Sequence, residues 1–145
     1  MSDILDLGGA KDEKARRMLE TDEIVWFATV GRDGEPHAVP VWFYWFDGKV
    51  IVFSEPDTVK VKHVREGSPV LVHLQAGGPH ADDVVILNGR AEISERDAAS
   101  WLDEFGNAYV EKYADAVAAY GLPLQDIVSK FSTALVFTPQ RALTW

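Results

Sequence analysis

Ser54, Thr58, Lys60 and Lys62 put two hydroxyls and two ammonium groups within nine residues of chain. The run Phe53-Ser54-Glu55-Pro56-Asp57-Thr58-Val59-Lys60-Val61-Lys62-His63 begins where an apolar stretch ends. A proline turn follows, and the two lysines fall at i, i+2 at the start of a predicted helix. Hydroxyls, ammonium groups and the free N–H groups of a helix start suit a phosphate. In that reading Ser54 and Thr58 donate hydrogen bonds, Lys60 supplies charge, and Asp57 or Thr58 caps the helix. On spacing alone, an ordinary N-capped helix with solvated lysines is the commoner arrangement.

His37 opens a predicted strand beside a turn, where it can reach a bound ring or phosphate. Pro40 stands inside the apolar stretch around Val39 and cannot donate a ladder hydrogen bond. It therefore marks an edge, a bulge or a split between sheets, where a flat heterocycle could lie against exposed backbone. The run Trp42-Phe43-Tyr44-Trp45-Phe46 alternates between two faces, and Trp42 is the residue expected nearest a ligand. The histidines lack metal-ligand spacing, and no H-E-x-x-H occurs. There is no G-x-S-x-G, no G-x-x-x-x-G-K-[ST] and no G-x-G-x-x-G. No side chain stands out as a catalytic acid, base or nucleophile, and no metal site is expected.

The elements that position these residues follow from pattern. Residues 1–10 read as a tail and 11–145 as one domain. Helix is expected over Lys11–Glu20, Thr58–Glu66 and Leu124–Lys130. A long helix is expected from the capping box at Ser94-Glu95-Arg96-Asp97 to Tyr120. Strands are expected over Ile24–Val30, His37–Phe46, Lys49–Ser54, Val70–Gln75 and Val84–Ile93. Two more, Thr133–Thr138 and Ala142–Trp145, lie around Pro139. Asp47-Gly48 is a hairpin signal, and Asn88-Gly89 a bulge. Short-turn meanders with inserted helices predict a mainly β chain folded as a small antiparallel barrel. Val39 to Phe46 is apolar on both faces, so the second face is expected to meet another subunit.

Composition narrows the function. The 145 residues carry a net charge of −9, which disfavours nucleic acid as a partner. There is no cysteine, which excludes disulfides, thiolate catalysis and Cys-based metal sites and fits a cytoplasmic protein. No signal peptide and no membrane span are read in the chain.

Taken in order, four segments resemble the pyridoxamine-phosphate-oxidase-like flavin-binding split β-barrels. They are Ala28-Thr29-Val30-Gly31-Arg32-Asp33-Gly34-Glu35-Pro36-His37, Val41-Trp42-Phe43, Val52-Phe53-Ser54 with Thr58 to Val64, and Val136 to Trp145. The resemblance is greatest to the actinobacterial branch that uses the deazaflavin coenzyme F420. It implies a split antiparallel β-barrel with flanking helices, a homodimer with cofactor sites at the subunit interface, and hydride transfer to or from a small conjugated substrate. It assigns Ser54, Thr58, Val59, Lys60 and Lys62 to the cofactor, to which the residue reading above adds His37, Val39, Pro40 and Trp42. Val59 stands where the flavin oxidases carry an arginine, which removes a forked phosphate donor. The Arg-x-His pattern of pyridoxamine phosphate oxidase is absent from Gln140 to Trp145. The alternatives are a flavin mononucleotide (FMN) enzyme of the same fold, and a cofactor carrier or haem-binding relative without turnover.

Overall fold

Alternating burial shapes the sheet. In the computed structural model, which describes residues 10–145, Val25, Phe27 and Thr29 are buried while Ile24, Trp26 and Ala28 between them are half-buried. The elements run α1 (Ala10–Thr21), β1 (Ile24–Val30), β2 (Pro36–Trp42), β3 (Tyr44–Phe46), β4 (Lys49–Ser54), α2 (Val59–Arg65), β5 (Val70–Leu74) and β6 (Val85–Ile93). They continue with α3 (Ala98–Phe105), α4 (Asn107–Lys112), α5 (Ala114–Tyr120), α6 (Leu124–Lys130) and β7 (Thr133–Thr144). The tail expected over residues 1–10 lies outside the described residues, apart from Ala10, which is helical.

All strand pairs are antiparallel, in one seven-stranded sheet ordered β2-β1-β5-β6-β7-β4-β3. The two edge strands, β2 and β3, are consecutive in the chain and separated by Phe43 alone. The sheet therefore curls until its ends nearly meet, which makes the expected split barrel. Val25, Phe27, Val50, Val52, Val72, Leu87, Leu135 and Phe137 fill its interior, with Val61 of α2 and Leu19 of α1. A second cluster lies outside the curl. There Phe105, Tyr109 and Tyr113 pack on Ile51, with Tyr44, Phe46 and Phe53 around them.

Three expectations need correction. The strand drawn from His37 to Phe46 is two strands, because Phe43 leaves the ladder at the corner. The long helix after Ser94 is three. Asp97, not Ser94, is its N-cap and accepts Ser100 N–H at 2.9 Å. Gly106 (φ 62°) then breaks the helix, and Tyr113 breaks it again. The closing strands around Pro139 are one strand. The register slips between Asn88 and Gly89, so Gly89 faces Pro139 and Gln140 bulges out. A Cβ on Gly89 would lie 2.1 Å from the Thr138 carbonyl oxygen. Glycine and bulge together admit a proline inside the sheet. The Asp47-Gly48 hairpin is as expected, with both residues at positive φ.

The corner at Phe43 is held by one side chain. The fully buried Tyr113 hydroxyl accepts Phe43 N–H at 2.9 Å and lies 2.6 Å from the Phe43 carbonyl and 2.7 Å from that of Glu23. Lys112 adds a hydrogen bond to the same Phe43 carbonyl at 3.2 Å and sits 4.1 Å over the Phe43 ring. Tyr113→Phe keeps the ring, removes the acceptor of the Phe43 N–H, and leaves the Phe43 carbonyl to Lys112 alone. It should lower the unfolding free energy by about 1–3 kcal/mol in urea denaturation. Stability equal to wild type would contradict this role for the hydroxyl.

Candidate functional site

The open edge of β2 forms one wall of a cleft of about 600 Å³. His37, Val39, Pro40, Val41 and Trp42 line it from β2, and Phe53 from the end of β4. Asp57, Thr58, Val59 and Lys60 close it at the start of α2, and Tyr109, Tyr120, Ile127 and Phe131 line it from α4 to α6. His37 and Trp42 are five residues apart on an extended strand, a span of about 17 Å. That length and volume suit a tricyclic ring with a tail.

Aromatic stacking fixes the Trp42 wall. Trp42 lies on Tyr113 with ring centroids 4.9 Å apart and planes 14° apart. Tyr120 meets Trp42 edge-on at 6.3 Å, and Phe131 meets Tyr120 in the same way. Near the start of β2, His37 packs edge-on against His63 at 6.0 Å. His63 Nδ1 lies 2.8 Å from the buried Thr29 hydroxyl, which ties α2 to β1.

Lys60 is the residue whose environment is least ordinary. It is only 8% exposed. Its ammonium donates a long hydrogen bond of 3.4 Å to Thr58 Oγ1. No ion pair holds it among the described residues. Burial pushes its pKa below the usual lysine range, with the Glu55 carboxylate opposing the shift. A buried cation held by no direct ion pair, on the wall of a cleft, suits an anionic ligand.

Seven of the nine residues anticipated for a cofactor line this cleft: His37, Val39, Pro40, Trp42, Thr58, Val59 and Lys60. Ser54 does not. It is buried beneath, and its hydroxyl donates to the Glu55 carbonyl at 2.8 Å, with Thr58 Oγ1 3.0 Å away. The chain Lys60–Thr58–Ser54 therefore steadies the ammonium from behind. Thr58 occupies the N-cap position of α2 but makes no side-chain cap hydrogen bond. Lys62 is exposed and stands outside the lining. Pro40 sits on an edge strand, which needs no donor there. Residues that sequence reasoning missed include Tyr109, Tyr120, Ile127 and Phe131. Part of the signal was present, because Trp101, Phe105, Tyr109 and Tyr113 recur every fourth residue as an aromatic stripe.

Among the described residues no three His, Asp or Glu side chains gather as a metal site. No helix of the described residues is long and apolar enough to cross a membrane.

With this geometry in hand, comparison places the fold among the flavin-binding split barrels. The chain belongs to the pyridoxamine 5'-phosphate oxidase family, whose model matches residues 12–145. No curated protein sequence matches it. Among solved structures it is similar to the conserved hypothetical protein Rv2991 of Mycobacterium tuberculosis. That match has 22% identity and a TM-score of 0.74, and covers 100% of this chain and 89% of that one. An FAD-binding protein of Mesorhizobium loti shares 17% identity at a TM-score of 0.63, covering 90% and 88% of the two chains. An F420 reductase shares 19% identity at a TM-score of 0.62, covering 88% and 94%. At these identities each likeness is one of fold.

Lys60→Met removes the buried charge and keeps the stem. The ligand-free variant should be more stable than wild type at pH 7 in chemical denaturation. The sign with pH follows from the lowered pKa. Above the folded-state value, wild-type Lys60 is neutral when folded while the unfolded chain still binds the proton, so wild type gains stability as pH rises. The gap should therefore narrow as pH approaches the ordinary lysine value of 10.5. A variant less stable than wild type at pH 7 would show that the ammonium is compensated.

Proposed function

We propose that the protein is a homodimeric oxidoreductase that holds the deazaflavin coenzyme F420 in the β2 cleft and serves hydride transfer with a small conjugated substrate. The observation that carries this reading is the buried, unpaired Lys60 ammonium beside an aromatic cleft on an open strand edge. When bound, the coenzyme supplies the hydride chemistry, and the protein supplies position and exclusion of water. Lys60 would meet an anionic group of the tail. Trp42, Val39 and Pro40 would lie along the ring, and His37 would reach the polar part between them. The absence of an acid–base or nucleophilic constellation is consistent with that division of labour. A cytoplasmic setting belongs to the same proposal and is supported by the lack of cysteine.

The choice of deazaflavin over FMN rests on charge geometry. Val59, 47% exposed, lines the cleft where an arginine would fork two hydrogen bonds onto a compact terminal phosphate. No arginine lines the cleft among the described residues. A longer anionic tail does not depend on that fork. The F420 reductase of similar fold adds support. FMN remains the second reading, favoured by the flavin-binding fold itself. Turnover separates an enzyme from a cofactor carrier, and a Soret band would point to haem.

Parallel fluorescence titrations decide between the cofactors. Coenzyme F420 should bind more tightly than FMN, and Lys60→Ala should weaken it by roughly 1–3 kcal/mol. Lys62→Ala should have little effect. FMN binding tenfold tighter than F420, about 1.4 kcal/mol, would overturn the deazaflavin reading.

The subunit interface follows from the sheet's outer face. Cross-strand neighbours Pro40, Trp26, His73, Ile86 and Leu143 form one row over five strands. All are half-buried or exposed, Leu143 at 56%. Helices α3 to α5 cover a different part of the sheet, over β3 and β4. Such an apolar row suits a second copy of the chain. Sedimentation at micromolar concentration should give a dimer, and Trp26→Glu should shift it to monomer. A monomeric wild type would contradict the interface.

A further inference from the structure

We propose that the Glu55-Pro56-Asp57 turn selects the charge of the bound anion, favouring a singly charged phosphodiester over a doubly charged phosphate monoester. The inference rests on the reading of the cleft as a coenzyme site and adds a selectivity rule to it.

Three observations lead there. First, the cleft is poor in positive charge. Among the described residues Lys60 is the one lysine or arginine in its lining, and Asp57 lines the same cleft. Lys62 and Arg65 are exposed and outside it. Second, the turn's carboxylates are not neutralised. Neither Glu55 nor Asp57 makes an ion pair among the described residues, and Glu55 is near enough to Lys60 to act on it electrostatically. Third, the turn is pinned. The Glu55 carbonyl accepts Ser54 Oγ at 2.8 Å and Thr58 Oγ1 at 3.5 Å, so the backbone that carries the two carboxylates is held beside the cleft.

The physical consequence is a balance of like and unlike charges. A phosphate monoester carries about −1.5 to −2 at pH 7, because its second proton leaves near pH 6. A diester carries a single charge. One ammonium can pair with either, but each added negative charge on the ligand is repelled by Asp57 at the cleft wall and by the exposed Glu55 beside it. The ammonium is then matched by one negative charge, and a second is penalised. Coenzyme F420 joins its ring-bearing polyol to its tail through a phosphodiester, whereas FMN ends in a monoester.

Three ligands with one ring and different charge test this: riboflavin, riboflavin 5'-methylphosphate and FMN. Each is titrated by fluorescence into the full chain and into a Glu55→Gln, Asp57→Asn double variant, with coenzyme F420 as a parallel arm. Wild type should bind the methyl diester more tightly than FMN. The double variant should tighten FMN roughly threefold or more, leave riboflavin unchanged, and erase or reverse the order. Both substituted residues are exposed and in no ion pair, so the variant should fold, which circular dichroism checks. Wild type binding FMN more tightly than the diester, or a variant that leaves the order unchanged, would overturn the inference while leaving the coenzyme site standing. Binding of F420 without any flavin would overturn it too, because the ring and not the charge would then be what the cleft reads. If none of the four ligands binds wild type, the coenzyme reading fails and the inference with it.

Discussion

A seven-stranded sheet whose two edges are joined through a single residue must bend back on itself, and Phe43 is that residue. Its N–H and carbonyl leave the ladder at a buried corner, where unpaired backbone groups are costly. Tyr113 meets both with one hydroxyl, and Lys112 adds a second donor to the carbonyl. Burial holds the Tyr113 phenol neutral by pushing its pKa up. It also pulls that of Lys112 down to about 8, against the opposing carboxylates of Asp22 and Glu23. Because both residues lie at the α4–α5 break, holding the corner also fixes the helices against the outside of the sheet. The Tyr113 ring then lies on Trp42, and Tyr109 and Tyr120 face the open edge of β2. The cleft is therefore a consequence of how the barrel closes.

Charge gives that cleft its chemical character. The whole chain is strongly acidic, yet Lys60 is buried at the cleft with a single long hydrogen bond. Ser54 and Thr58 spend their hydroxyls on the turn and on the ammonium, so the local network steadies a cation and leaves its charge unmatched. Such an arrangement costs stability in the empty protein, and a bound anion would offset that cost. Hydride chemistry in a cofactor needs no strong acid or base from the protein, which is consistent with a cleft lined mainly by aromatic and aliphatic side chains.

Much of the fold was legible because it rests on local signals. A run of β-branched and aromatic residues gave β1 to the residue, and the Asp47-Gly48 hairpin signal set the start of β4. Glycine or proline punctuation gave the limits of α2 and α6 to within a residue or so. What failed were features set by tertiary structure. The break at Phe43 exists only because two distant sheet edges meet there. Pro139 inside a continuous strand depends on Gly89, fifty residues earlier, yielding space across the bulge. The strand–turn–helix part of the candidate site could be read from adjacent residues such as Thr58 and Lys60. Tyr109, Tyr120, Ile127 and Phe131 could not, since they reach β2 only through the helix breaks at Gly106, Tyr113 and Gly121. Ser54 was legible as a residue of this region, but its inward hydrogen bonds were not.

The most direct test of the proposed coenzyme site is a map of where the ligand touches the protein. The five tryptophan indole N–H signals provide one in a ¹⁵N-resolved NMR titration with coenzyme F420, since Trp42 lines the cleft and Trp26, Trp45, Trp101 and Trp145 do not. The account predicts a large shift of the Trp42 indole together with the backbone amides of His37, Thr58 and Lys60, and small shifts at the other four indoles. Shifts centred instead on Trp26 and His73, with Trp42 and Lys60 unmoved, would contradict it.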